Sequence, residues 1–221
     1  MDLDILPGQE ADVPAYIRVF RDAFADHPRI PMMWPLGYTA DWYAFHEADI
    51  VQQIHSADNH FIKAIDTKTK QIVAGAEWTF ALDTAETAKD VPIDPSQPPP
   101  PGWPDQGNWP MRMFFKMEWE KWRREHLAGK PYISLDILVV DPACQGRKAG
   151  SRLLAWGCEQ ADKHSAMMVL ESTPAGLALY KRFGFREITV LKANMHDFGW
   201  KGSYDEEAAK RVWMLRDPQR V

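Results

Sequence analysis

The sequence predicts a single α/β domain with mixed α+β character: a central sheet of about seven strands flanked by helices and interrupted by a proline-rich loop and helix. Three observations predict it. Apolar, β-branched segments alternate with helical patterns from Leu135 to Phe185, which favours a strand-helix-strand layered unit. Two strand-like segments, His60 to Asp66 and Gln71 to Leu82, are joined by the polar turn Thr67-Lys68-Thr69-Lys70 and read as an antiparallel hairpin. A length of 221 residues with 45% hydrophobic content suits one sizeable core and requires no second domain.

In chain order, Leu3 to Leu6 is a short first strand. Asp12 and Pro14 open a helix whose apolar residues Val13, Ile17, Phe20 and Phe24 recur at helical spacing, and His27-Pro28 ends it. Arg29 to Tyr38, rich in Pro, Met and Trp, reads as a loop; Thr39 caps a second helix carrying Trp42, Phe45, Ile50 and Ile54. After the hairpin, Asp83 to Lys130 is a separate insertion. Eight prolines between Pro92 and Pro110 predict an irregular segment, with Pro98 to Pro101 in polyproline II. A helix follows over about 112–127, with Phe115, Trp119 and Trp122 on one face; amphipathic helices usually bury such a face, and long insertions also serve as lids. Beyond Phe185 a strand runs to about Ala193, a loop contains Met195 to Gly202, a short polar helix spans Ser203 to Ala209, and Arg211 to Arg216 returns antiparallel to the preceding strand.

The stretch Leu135 to Gly150, LDILVVDPACQGRKAG, carries the chemistry. Asp141-Pro142 stops the strand, and Gly146 and Gly150 permit backbone geometry and close approach that a side chain would block. Unpaired amides at the following helix start, with the positive end of the helix dipole behind them, form an anion site to which Arg147, Lys148 and Arg152 add charge. Taken alone, the loop reads more simply as a strand-to-helix connection with solvated basic residues. It is not alone. Met167 to Glu171 is a second short strand, Ser172-Thr173-Pro174 opens another helix, and Tyr180-Lys181-Arg182-Phe183-Gly184-Phe185 closes it with a tyrosine one turn before a C-capping glycine.

These two motifs, in this order, resemble the GNAT superfamily of acyl-CoA-dependent N-acetyltransferases. The family loop is Gln or Arg, two residues, Gly, one residue, then Gly or Ala; Gln145, Ala149 and Gly150 fall into that register, and Gly146 supplies a frequent additional glycine. Lys148 departs from it, standing where the central Gly is usual. Either it adds charge across a diphosphate or it crowds the backbone approach. By motif the resemblance covers residues 134–187; by layout it covers most of the chain, for which 221 residues is slightly long.

The resemblance implies acetyl-CoA as co-substrate and no metal. Its pyrophosphate would lie on the amides of Gln145, Gly146, Arg147, Lys148, Ala149, Gly150 and Ser151, its pantetheine arm along the backbone of Leu138, Val139 and Val140, and its thioester near Ser172 and Gly176. Tyr180 matches the family tyrosine that donates a proton to the CoA sulfur; packing of its ring against Phe183 is the plainer alternative. For the base there are two carboxylates. Asp136 lies on the cofactor strand, where an unpaired carboxylate is costly, and by alternation shares a face with Ser134 and Leu138; it could equally be a structural Asp. Glu77 is the second, with a solvated edge residue as its alternative, and direct attack without a base also stands.

A net charge of −5 argues against general nucleic-acid binding and for a small partner, an amine. Glu118 joins Asp136 and Glu77 in favouring a cation, while Trp34, Tyr38, Trp103 and Trp109 favour an aromatic body. Cys144 and Cys158 form no disulfide framework or zinc motif, and no run of about 18 apolar residues occurs, so a cytoplasmic protein that binds no membrane is expected, as monomer or homodimer. The function expected is acetyl transfer from acetyl-CoA to a primary amine of a small molecule or, second, of a protein. A catalytically silent acyl-CoA sensor and a proline-rich interaction module are the rivals; a P-loop phosphotransferase is disfavoured because no Lys immediately precedes Ser151.

Overall fold

The computed structural model describes residues 2–90 and 92–219. Its helices and strands follow in the order β1 (Leu3–Pro7), α1 (Val13–Ala23), α2 (Ile30–Met33), α3 (Ala40–Ile54), β2 (Asn59–Asp66), β3 (Ile72–Ala81), α4 (Thr84–Thr87), α5 (Trp109–Leu127), β4 (Tyr132–Val140), α6 (Ala149–Lys163), β5 (Met167–Ser172), α7 (Leu177–Arg182), β6 (Arg186–Leu191), α8 (Glu206–Ala209) and β7 (Arg211–Arg216). The seven strands form one sheet in the order β1-β2-β3-β4-β5-β7-β6. Only β4 and β5 run parallel; the other neighbours are antiparallel.

Both sheet faces are covered, as a largely buried sheet requires. On one face α6 lays Leu153, Leu154, Cys158 and Ala161 against Trp78, Ile133, Leu135, Met168 and Leu170. On the other, α1 and α3 bury Val13, Tyr16, Ile17 and Trp42 over Phe61 and Val139, while α5 covers the far half through Trp122 and Leu127 against Tyr132, Val169 and Trp213. The aromatic face of α5 is therefore core. Its helix starts at Trp109, three residues earlier than the periodicity indicates, because Asn108 accepts from the Met111 amide as N-cap and Pro110 occupies the first turn, where its missing N–H costs nothing.

Two further expectations need correction. The segment 29–38 is not all loop: Pro31 sits in the first turn of α2, where its fixed φ favours helix. Thr39 occupies the N-cap position of α3 without capping it; its hydroxyl accepts instead from Gln106 of the insertion at 2.9 Å. The proline-rich segment is tied down by its tryptophans, with Trp103 5.0 Å from both Trp34 and Trp109 between ring centroids.

Candidate active site

The site is made by a failure of pairing. β4 and β5 are in register from Tyr132↔Met167 to Leu135↔Leu170 and then part, so the β5-facing edge of 136–140 pairs with no strand. On the other edge β4 stays bonded to β3, with one irregularity: Glu77 faces Ile137 and Trp78 faces Leu135, which leaves Asp136 as an extra, bulged residue. Bulges re-aim side chains and bend the strand away from its neighbour. Here the bulge falls where the two parallel strands diverge.

The bulge also separates Asp136 from Leu138. Alternation groups Asp136 with both Ser134 and Leu138, but the extra residue resets the pattern: Leu138 packs with the α6 face, whereas Ile137 and Val139 pack toward α1 and α3. Asp136 stays with Ser134, whose hydroxyl donates to Oδ1 at 2.6 Å, while the Thr79 hydroxyl donates to Oδ2 at 2.6 Å. The carboxylate is open to the cleft between the strands. Surrounding protein pushes its pKa upward, and the two hydroxyl donors pull it back.

Glu77 is not on an edge. It lies half-buried in β3, between β2 and β4, and accepts a hydrogen bond of 2.6 Å from the buried hydroxyl of Tyr16 on α1. Burial moves its carboxyl from 4.5 to about 7; Asp136 adds to the rise and the Tyr16 hydrogen bond opposes it. A cavity of about 10 Å³ adjoins it between Ile50, Gln53 and His60, at the lower limit for one water. Two carboxylates with raised pKa values thus share one face at the splay.

Tyr180 stands on the opposite face. It belongs to the core beside α6, packs edge-on to Phe185 at 5.9 Å rather than on Phe183, and its burial raises the phenol to about 12. It is therefore a proton donor at neutral pH. A Cβ on Gly176 would lie 2.8 Å from Tyr180 Cε2 and 2.9 Å from Ser172 Oγ, so only glycine lets the start of α7 sit this close. The Ser172 hydroxyl is committed to the Thr173 carbonyl at 2.6 Å. Gly184, with φ +86°, closes α7, and the Phe185 amide reaches back to the Tyr180 carbonyl.

At the other end of β4, Asp141 ends the strand by accepting from the Ala143 amide and pairs with Arg18 at 3.1 Å. Gln145, Gly146, Arg147 and Lys148 are exposed, and both Gly146 and Lys148 are left-handed, at φ +73° and +69°. Lys148 is the N-cap of α6 and supplies no side-chain acceptor, so the first-turn amides around Ala149, Gly150 and Ser151 lack a capping side chain. Gly150 seats the helix start on the strand, since a Cβ there would be 3.3 Å from Val140 Cγ2. Arg152 leaves this cluster: its guanidinium donates to the Leu3 carbonyl at 2.6 Å and ties α6 to β1. The residues present thus fit a CoA-type group, with a free strand edge at 138–140 and an open helix N-terminus next to it.

Residues 119–187 match the family described as the acetyltransferase (GNAT) domain. That stretch is similar to a GNAT acetyltransferase domain. The fold of the whole chain is similar to that of several solved acetyltransferases. A structure described as histone acetyltransferase HPA2 and related acetyltransferase, from Corynebacterium glutamicum, aligns with TM-score 0.62 at 21% identity, covering 100% of this chain and 99% of the other. Mosquito arylalkylamine N-acetyltransferase like 5b aligns with 0.64 at 14%, covering 98% and 100%. The PaiA N-acetyltransferase of Thermoplasma acidophilum, solved with coenzyme A, aligns with 0.52 at 12%, covering 98% and 99%. A sequence search of the curated proteins finds no match. Among the described residues no helix is long and apolar enough to cross a membrane, and no group of three His, Cys, Asp or Glu is set to hold a metal ion.

Several residues of the candidate site are silent in the sequence. Tyr16 sits inside the apolar stripe of α1, where its hydroxyl gives no periodic signal, and Thr79 and Ser134 look like ordinary strand residues. Arg29 and Arg211, which converge on Glu171, are 182 positions apart (211 − 29).

Proposed function

We propose that this chain transfers the acetyl group of acetyl-CoA to the primary amine of a small molecule by direct attack within a ternary complex. The observation that carries this reading is the splay between β4 and β5, with half-buried Glu77, hydrogen-bonded to Tyr16, on one face and buried Tyr180 on the other. Acetyl-CoA supplies the acetyl group as an activated thioester. Loop amides from Gln145 to Ser151 and the side chains of Arg147 and Lys148 bind its diphosphate, and the free edge of Leu138, Val139 and Val140 takes the amides of its arm, as unpaired backbone groups require.

Two protons must move. A free amine with a pKa of about 10.4 arrives charged at neutral pH, and Glu77 accepts its proton, directly or through water. A base titrating near the working pH combines availability with driving force, which favours Glu77 over Asp136. Asp136 holds the neighbouring position on the cleft wall and raises the Glu77 pKa by its charge. Tyr180 donates to the departing sulfur from the other face. Cys144 and Cys158, both buried free thiols, suit the cytoplasm as the compartment.

A thiol-release screen with acetyl-CoA against amines, amino acids, polyamines and arylalkylamines tests the reading. Glu77→Gln should then lower turnover roughly 100-fold to 10,000-fold and flatten the acid limb of the pH profile, while Asp136→Asn should keep most of it. Tyr180→Phe should lower kcat with little change in KM. Full activity in Glu77→Gln with loss in Asp136→Asn would reverse the two carboxylates.

A further inference from the structure

Glu171 is the first β5 residue past the last β4–β5 pair, so it stands across the splay from Asp136. Its carboxylate takes the guanidinium of Arg211 at 2.8 Å and that of Arg29 at 3.5 Å. Arg112, exposed in the first turn of α5 one turn before Phe115, adds its positive charge at longer range, lowers the Glu171 pKa, and makes no ion pair among the described residues. Two guanidinium groups therefore contact one acidic side chain, and the charge of a third reaches it. Phe115 floors the cluster, with Arg211 3.5 Å and Arg29 6.0 Å from its ring centroid.

The surplus positive charge is held in a secluded place. The Arg29 side chain is 11% exposed and that of Arg211 20%. His27, beside Arg29, adds no compensation: burial and the neighbouring guanidinium lower it to about 4, leaving it neutral at pH 7. Nε of Arg29, Nε of Arg211 and Nε2 of His27 are buried without a protein acceptor. Buried donors of this kind are ordinarily satisfied, and a buried cation without its counter-charge is costly. A chain of formal charge −5 has carboxylates to place here, yet places one.

We propose that Arg29, Arg112 and Arg211 hold an oxyanion group of the acceptor, so that the acceptor is an amine that also carries a carboxylate or a phosphate. The inference rests on the acetyl-transfer reading. The cluster is separate from the CoA diphosphate loop, which lies at the far end of β4 after Asp141. Planar guanidinium forks match either oxyanion bidentately, and both Arg29 and Arg211 present unused N–H groups. Glu171 holds the two arginines in place. The amine would then reach across the splay to Glu77 and Asp136.

The test uses matched acceptors with acetyl-CoA: alanine with ethylamine, phenylalanine with phenethylamine, and phosphoethanolamine with ethanolamine. The anionic member of at least one pair should be favoured by about 10-fold or more in kcat/KM, one tenfold step corresponding to about 1.4 kcal/mol. Arg112→Gln should collapse that ratio, chiefly through KM. Preference for alanine and phenylalanine assigns a carboxylate, and preference for phosphoethanolamine a phosphate. Parity or reversal in all three pairs would overturn the proposal. A second arm does not need turnover: thermal shift with N-acetylalanine, N-ethylacetamide and inorganic phosphate. If no acceptor releases thiol, the transfer reading fails on its own. The anion site then stands if N-acetylalanine or phosphate alone stabilises the parent and not Arg112→Gln, and falls if neither does.

Discussion

Tyr16 donates its hydroxyl to Glu77 at 2.6 Å, from a ring that is wholly buried between α1 and the sheet. The contact joins the first helix to the central strand that carries the proposed base. It also sets that base's charge. Burial alone would keep the carboxyl protonated further up the pH scale, and the phenol's proton, aimed at the carboxylate, brings it back to about 7. The phenol in turn is pushed well above its ordinary range by burial and by Glu77, so it remains a donor throughout.

Tyr16→Phe should therefore raise the Glu77 pKa. The acid limb of kcat/KM should move up by about one pH unit, the equivalent of roughly 1.4 kcal/mol of lost hydrogen bonding to the charged form. Turnover at pH 9 should be nearly unchanged while turnover at pH 7 falls several-fold. A profile that drops uniformly at all pH values would assign Tyr16 to packing alone.

Glu77 should also be visible in stability. Its folded pKa of about 7 exceeds its unfolded value of 4.5, so between those values the folded chain holds a proton that the unfolded chain has released. Stability accordingly falls as pH rises through that window, by about 3 kcal/mol at roughly 1.4 kcal/mol per unit. Glu77→Gln has no such proton to lose. In urea titrations it should match the parent near pH 4.5 and exceed it at pH 8; a pH-independent gap would show that the carboxyl is not held protonated by the fold.

The features legible in the sequence are those encoded locally. The glycine loop, the strand before it, the tyrosine one turn ahead of Gly184 and the order of elements all follow from patterns a few residues long. What was not legible depends on partners distant in sequence. The bulge at Asp136 arises because β3 pairs with Leu135 and Ile137 and skips the residue between, so strict alternation placed Leu138 on the wrong face. The convergence of Arg29 and Arg211 on Glu171 needs the whole sheet to be assembled. Arg152 looked like part of the anion loop because it is near it in sequence, whereas its helical position turns it toward β1.

Lys148 supplies a third prediction. At φ +69° and ψ 7° it occupies the left-handed region, which costs a side-chain-bearing residue roughly 1–2 kcal/mol and glycine almost nothing. A glycine at this position would carry almost none of that cost. Lys148→Gly should stabilise the fold by about 1 kcal/mol, leave acetyl-CoA affinity equal or weaker, and flatten its salt dependence by removing one cation. A large gain in affinity would mean that the lysine crowds the diphosphate instead of binding it.

The fourth concerns Gly157, in the middle of α6, where helix propensity and packing point in opposite directions. Alanine is worth about 1 kcal/mol more than glycine in a helix interior. Yet a Cβ at this position would lie 2.1 Å from Trp78 Cη2 and within 2.6 Å of two more ring atoms. The indole is 1% exposed and its ring centroid is 6.0 Å from that of Trp156, so it can yield only by displacing packed neighbours. Overpacking of this kind costs about 1–3 kcal/mol or more, and at this distance it should win. Gly157→Ala should be destabilising, and because Trp78 follows Glu77 in β3, the displaced ring should also disturb the Tyr16 contact and shift the acid limb of the pH profile. Pairing it with Trp78→Leu, which opens the space, should cost less than the two single changes added together. Strict additivity would place the strain of Gly157→Ala somewhere other than the indole.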